Sequence, residues 1–396
     1  MGIWHTGKPR SGPGARAMRP RGLALMVTLA VVLLLTTFLS RFFFASGLEM
    51  RSISNFRNTM QARSMARSVL KVLQVGLQQD EADFFAGYRE VEKMLSVLSQ
   101  PLLDGLLLEV KVEPLDHRYN LNELYNLRPG EDVDRGRWNL FYNVLVRLEV
   151  PPTEEELQLD PEAQGKALTD EQISTLYAAL FDWIDQNDED YNLFPGVYGA
   201  EAGSYLSEQP EFEVKNGMLD QLSEIRLVRD LTTNGVPWED LSKQFAALPK
   251  ATDGNFYFQE KINVNTATRE EIIAFLENRR MDPAQIEGSI HRPNQEGINL
   301  IVDKAEELAD EFTATNDEGG RERFTQASLK SVLQKSGVNQ NLGANFLFSI
   351  INKYYLVRIV TEVNGIQARL EAKLHVPRNA NTRMGTQAEV LWMRVY

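Results

Sequence analysis

From Leu23 to Ser40 the chain carries no charged residue, and beyond Arg41 the hydrophobic pattern changes period rather than stopping. Ile53, Phe56, Met60, Ala62, Ala66, Val69, Leu70, Leu73 and Leu77 recur at helical spacing, and no proline interrupts Leu23–Leu77. The pattern predicts one long helix, apolar all round in its first half and amphipathic in its second. At 1.5 Å per residue it would be roughly 80 Å long. The uncharged run is the length of a short membrane span, for which ~18–20 apolar residues are needed. An ordinary anchor followed by a separate juxtamembrane segment fits the same pattern.

Further along, Asp80–Leu98 has helical periodicity up to Pro101, Leu106–Val112 reads as a strand, and His117–Leu127 as a turn into a short helix. From Trp138 to Ile351 nearly every periodic segment is helical. In Asp170–Asp185, Ile173, Leu176, Tyr177, Leu180, Phe181 and Ile184 share one face, and Thr169 with Gln172 forms a capping-box start. Asn216–Leu231, Pro237–Leu248, Thr268–Asn278, Gly297–Phe312 and Thr325–Leu333 are predicted helices, with Thr268 and Glu271 a second capping box.

After Asn352 the period drops to two. Ile366, Ala368, Leu370, Ala372, Leu374 and Val376 alternate with Gln367, Arg369, Glu371, Lys373 and His375, as in a half-wet strand. Asn364-Gly365 joins it to Tyr354–Val363 as a hairpin, and Glu389–Tyr396 reads as a last strand. A lone hairpin is not stable, and Leu106–Val112 is the strand available to extend it. The expected fold class is therefore α+β. The long helix packs on an antiparallel sheet, with a large all-α domain inserted. The chain divides into a leader (1–22), the helix (23–77), the first part of the sheet domain (78–130), the inserted domain (131–350) and a C-terminal β part (351–396).

Charge adds an orientation. Lys8, Arg10, Arg16, Arg19 and Arg21 precede the apolar run with no acid among them, which keeps the N-terminus cytoplasmic and sends the rest across the membrane. The net charge of −13 argues against nucleic acid as a main partner, since phosphate binding needs clustered Lys and Arg. The chain has no cysteine, hence no disulfide and no thiolate metal site.

Asp182–Tyr205 is the richest polar stretch. Asp185, Asn187, Asp188, Glu189 and Asp190 crowd a helix C-terminus, where the dipole and mutual repulsion oppose carboxylates. A hard cation would relieve that repulsion, and oxygen ligands favour Ca²⁺. The spacing is not that of an EF-hand, and a solvated acidic loop is the alternative. Lys261–Leu276 resembles the first half of a helix-hairpin-helix DNA module but lacks its glycine pair, which favours a packing role. His5, His117, His291 and His375 are scattered, and no sequence motif supplies a nucleophile with a base. No enzymatic activity is expected.

Six motifs in order carry a family resemblance over about residues 19–396: RGLALMVTLAVVLLL (Arg21–Leu35), NLNEL (Asn120–Leu124), DWID with GAEAGSY (Asp182–Asp185, Gly199–Tyr205), VKNGMLDQLSEIRLV (Val214–Val228), INVNTAT (Ile262–Thr268) and the C-terminal YYLVRIVTEVNG with ARLEAKLHVPR. The sequence resembles the K-type minor pseudopilins of bacterial type II secretion systems. The resemblance implies a pilin-like fold with an inserted α-domain. It also implies cleavage by prepilin peptidase after Gly22, leaving an N-methylated Leu23. The mature chain would be an inner-membrane protein with its bulk in the periplasm. It would sit at the pseudopilus tip with the I- and J-type minor pseudopilins. Calcium in the α-domain is implied too, with Asp185, Asp188, Asp190 and Glu201 as the matching ligands. Position five of that mature chain is Val27, where most pilin-like subunits carry a glutamate that pairs with the N-terminal amine of the subunit ahead. A pilus-like DNA-uptake component using residues 261–276 is the competing expectation.

Overall fold

The computed structural model describes residues 21–79, 84–85, 87–88, 100–102, 105–126, 132–152, 154–160, 162–187, 191, 196–205, 213–229, 231, 235–249, 261–280, 295–314, 323–377 and 387–396. The chain divides into two units, Met1–Met60 and Gln61–Tyr396. Helix α1 spans Arg21–Gly76, 56 residues. Within the first unit its side chains from Leu25 to Phe44 are all exposed. Its threonine hydroxyls turn back on the helix: Thr28, Thr36 and Thr37 donate to the carbonyls of Leu25, Val32 and Leu34 at 2.9, 2.8 and 2.8 Å. A hydroxyl bonded in this way needs no water, which suits an apolar solvent. This helix is long and apolar enough to cross a membrane.

In the second unit α1 buries one face. Ala62 and Ala66 are fully buried, as is Leu77, and Leu70 nearly so. They lie against a five-stranded antiparallel sheet whose strands follow one another in space as in sequence: β1 (Gln100–Leu102), β2 (Gly105–Pro114), β3 (Tyr354–Val363), β4 (Ile366–His375) and β5 (Glu389–Val395). Alternation places Leu370, Ala372 and Leu374 of β4 with Val357 and Ile359 of β3 and Val110 and Val112 of β2 in one core with Ala66 and Leu70. The small side chains of Ala62 and Ala66 let the helix backbone come close. Thr361, fully buried on the helix-facing side of β3, donates to the Ala62 carbonyl at 2.8 Å. The β3–β4 turn has positive φ at Asn364 (50°) and Gly365 (81°), the conformation that a two-residue hairpin requires.

Between β2 and β3 the chain makes its α-helical excursion, which has two cores. The first surrounds α3 (Asp170–Ile184) and includes α2 (Asp132–Leu145) and α4 (Trp238–Gln244). The Thr169–Gln172 capping box forms as the sequence predicts. The second core gathers α5 (Arg269–Glu277), α6 (Gln295–Val302), α7 (Ala305–Thr313) and α8 (Gln326–Lys335). Residues Ile262–Thr268 act there as a packing motif: the Asn265 side chain accepts from Phe324 N (2.7 Å) and donates to the carbonyls of Phe324 and Ile350 (3.2 and 3.1 Å). The two cores meet through Asn143, which donates to the Asn278 carbonyl at 3.0 Å, and Arg147, which pairs with Glu277 at 3.1 Å.

Some expected helices are cut short by tertiary bonds. Among the described residues of Asn216–Leu231 only a 3₁₀ turn forms, Leu222–Leu227. Asn216 takes φ 43°, and the Asn122 amide captures both Leu219 N (2.7 Å) and Leu219 O (2.9 Å). A side chain has thus replaced the helical ladder. Helix α4 ends at Gln244 because Phe245–Ala246 pair in parallel with Tyr119–Asn120. Gly297–Phe312 is two helices, separated at Asp303 and Lys304. Most of Asp80–Leu98 lies outside the described residues.

The two ends of the excursion are held by Asp116, which is 7% exposed. Its carboxylate accepts from Lys353 N at 3.0 Å and Tyr354 N at 2.8 Å, and its carbonyl accepts from Lys261 N at 2.9 Å. Lys373 of β4 reaches into the first core from the sheet. Its ammonium donates to the carbonyls of Asp220 (2.7 Å) and Ala247. Burial brings its pKa down to about 8. We expect Asp116→Ala to leave two part-buried amides unpaired and to lower stability by about 2–4 kcal/mol, measured as the shift in urea midpoint against the parent protein.

Candidate metal centre

The polar stretch after α3 is fixed by aromatic anchors. Tyr191 is 1% exposed, with its ring 4.5 Å from Phe181 and 5.8 Å from Tyr177. Tyr205, also 1% exposed, packs edge-on against Trp183 at 5.4 Å, and its hydroxyl accepts from Arg229 N at 3.0 Å. Tyr177, Phe181 and Trp183 belong to α3, so the helix that starts the acidic stretch also seats its middle and its end.

Of the expected ligands, Asp185 and Glu201 are both buried, at 3% and 8% exposed. Asn187 Nδ2 donates to Asp185 Oδ2. Asp188 and Asp190 lie outside the described residues. The spacing argument passed over Asp182, one helical turn before Asp185 and fully buried. Its Oδ1 accepts from Tyr191 N at 2.9 Å, and its Oδ2 is buried with no hydrogen-bond partner. Gly199 lies flat against this carboxylate: a Cβ there would stand 1.7 Å from Oδ2. Only glycine fits at that position with Asp182 as placed. Asp182 was visible as the first letter of DWID, but it lies off the apolar stripe of α3, and its burial comes from the Tyr191 and Gly199 segments that fold back onto it.

Asp182 is pushed up to about 8. Burial is the main cause, the charges of Glu201 and Asp185 add to it, and backbone bonds from Tyr191 and Ala200 oppose it. Buried carboxylates this close cannot all ionise cheaply without a counter-charge. Among the described residues no group of three or more His, Cys, Asp or Glu side chains is arranged as a metal-binding set. The acids nonetheless suit a hard cation: Asp182 Oδ2 is an orphaned buried oxygen, and the donor set is entirely oxygen. Gly22 and Leu23 fall in the first turn of α1.

A long apolar helix whose later half packs on an antiparallel sheet, with an α-helical excursion between neighbouring strands, defines a pilin-like class. Within it, residues 117–250 match the family model described as type II secretion system (T2SS), protein K. Type II secretion system protein K of Pseudomonas aeruginosa is 25% identical over 293 residues, 72% of this chain and 76% of that protein. The crystal structure of the GspK–GspI–GspJ complex from the enterotoxigenic Escherichia coli type 2 secretion system aligns with a TM-score of 0.46 at 18% identity, covering 88% of this chain and 99% of that one. The resemblance read from the motifs is borne out.

One consequence concerns pH. The Asp182 carboxyl titrates at about 8 when folded and at 3.8 as a free side chain. It binds its proton more tightly in the folded state, so its contribution is full below pH ~4 and is lost as pH rises through 8. In EDTA, the denaturation midpoint of the parent should fall over this range, and Asp182→Asn should flatten the fall. Parallel profiles for the two proteins would contradict the assignment.

Proposed function

We propose that this chain is a minor pseudopilin that caps the tip of a type II secretion pseudopilus and helps initiate its assembly for export of proteins from the periplasm. The observation that carries this reading is the match of residues 117–250 to protein K, within an excursion between two paired strands of a helix-on-sheet fold. The apolar helix anchors the chain in the inner membrane, with the bulk of the chain in the periplasm. Its partners are the I- and J-type minor pseudopilins. Prepilin peptidase cuts after Gly22, and Leu23 becomes the methylated terminus. The chain's task is assembly, not catalysis. A DNA-uptake role through residues 261–276 is not favoured, because Asn265 directs its hydrogen bonds into the protein interior.

Calcium belongs to the same reading. Asp185 and Glu201 would hold it together with Asp188 and Asp190, and Asp182 lends a further buried oxygen beside them. The ion supplies positive charge that lets these acids ionise together. It would thereby tie the end of α3 to Glu201 and the short helix Ala202–Tyr205. None of these residues needs to move a proton for that role.

Mass analysis of the membrane form should find a terminus at methylated Leu23; an intact Met1, or a terminus near Gly47, defeats the pseudopilin reading. Calcium at about 100 times its dissociation constant should raise stability by about 2.7 kcal/mol over the EDTA-treated protein. Glu201→Gln should shrink that difference. If complete metal removal leaves the melting temperature unchanged, Asp182–Tyr205 is an acidic loop only.

A further inference from the structure

The sheet has a second face, turned away from α1, whose charges are unevenly matched. Strand register lines up Lys111, Arg358, Glu371 and Arg394 across β2, β3, β4 and β5. In the next row Glu109 and Arg369 flank Val360, and Arg369 exchanges backbone hydrogen bonds with Tyr396 at 2.8 and 3.4 Å. The carboxylates on this face are already engaged. Glu109 pairs with Lys111 at 3.5 Å, Glu113 with Arg118 at 2.9 Å and Arg358 at 3.2 Å, Glu371 with Arg358 at 3.5 Å, and Glu362 accepts from Gln367 at 3.2 Å. Arg369 and Arg394 have no carboxylate partner among the described residues. Arg369 is exposed, and the Arg394 guanidinium lies 4.6 Å over the ring of Tyr396, itself 46% exposed.

Arg369 and Tyr396 border a hollow of about 460 Å³ lined also by Glu109, Arg358, Val360 and Glu371, and Arg394 stands beside it over the Tyr396 ring. A second hollow, of about 330 Å³, shares Arg358, Glu371 and Tyr396 and extends to Trp392 and Trp238. Together they form a groove along the sheet with the Arg369 guanidinium at one end, Arg394 next to it on the Tyr396 ring, and indole rings at the other. In a chain of net charge −13, leaving two arginines unmatched beside an aromatic ring is the opposite of the prevailing surface. Arginine offers a planar fork that takes a carboxylate through two hydrogen bonds, and Tyr and Trp are the usual anchors of recognition sites.

We propose that this groove binds an extended acidic peptide segment of another protein, with carboxylates on Arg369 and Arg394 and apolar side chains against Tyr396 and Trp392. The segment's chemistry follows from the groove. Glu109 and Glu371 would repel the evenly spaced phosphates of a nucleic acid, whereas a peptide can place neutral residues opposite them. Being surface electrostatics, the interaction is salt-dependent.

The test uses the full chain in a neutral detergent and a fluorescein-labelled peptide alternating Glu with Phe, read by anisotropy at low and physiological salt. The expected result is saturable binding that weakens with salt. Arg369→Glu combined with Arg394→Glu should weaken it about 10-fold or more. Lys330→Glu combined with Lys335→Glu, the same change in net charge on α8, should leave it intact. Thermal melting of both double variants checks that they are folded. Equal binding of a Lys/Phe peptide, equal losses in the two double variants, or no binding at low salt would each overturn the proposal. Binding of a single-stranded oligonucleotide as tight as that of the peptide would overturn the assignment to a protein partner.

Discussion

The pairing of β2 with β3 is the constraint on which the rest of the second unit depends. These strands are hydrogen-bonded neighbours from Leu106↔Glu362 to Pro114↔Tyr355, yet the chain travels through the whole α-helical region to get from one to the other. Loop closure grows only logarithmically with length, about 0.6 kcal/mol per doubling. A very long excursion is therefore tolerable provided its two ends are clamped. The clamp is local: Leu115 N continues the ladder onto Tyr354 O at 2.9 Å, and the Asp116 carboxylate collects the next two amides. Pro114, which has no N–H to donate, stands at the strand's last position, where a ladder can end.

A clamp at the neck would still leave the helical region free to swing. Buried polar side chains fix its interior and tie it to the sheet. Asn120 and Asn122 are fully buried, and their amides hold Leu248 N (2.9 Å), Leu219 and the Leu248 carbonyl (3.1 Å). Lys373 does the same from the opposite direction, carrying a sheet residue's ammonium to two carbonyls of the first core. Such groups are costly to bury, and the hydrogen bonds they make fit one arrangement only. They contribute to the uniqueness of the docking at least as much as to its strength.

How much of this was legible in the sequence depends on whether a signal is local. The α1 pattern, the Thr169 and Thr268 capping boxes, the Asn364-Gly365 turn and the alternation along β4 are written within a few residues of where they act, and each appears in the structure. The clearest failure has a distant cause. Asn216–Leu231 has apolar spacing suited to a helix, but its ladder is captured by Asn122, about a hundred residues away in sequence, and no window along the chain contains both. The candidate metal centre divides along the same line. Asp185 and Glu201 stand out as acids in a polar stretch. Asp182 lies off the apolar stripe of α3, and its burial and its contact with Gly199 exist only once the loop has folded back.

Val27 connects the first unit to the proposed role by a similar argument about partners. A carboxylate at membrane depth costs ~2.5–3.5 kcal/mol on insertion scales and persists only where a partner charge meets it. The resemblance to pilin-like subunits implies that in a helical stack each such carboxylate is matched by the terminal amine of the subunit ahead. A subunit that begins the stack has no amine ahead of it, so its carboxylate would meet only hydrocarbon. In this chain the position is apolar, and the hydroxyls nearest to it in α1 are bonded to their own backbone. The segment can therefore sit in a bilayer without a predecessor. Under the proposed role and the proposed cut after Gly22, that meets an energetic condition for starting a pseudopilus, although an apolar residue is also the default in any membrane span.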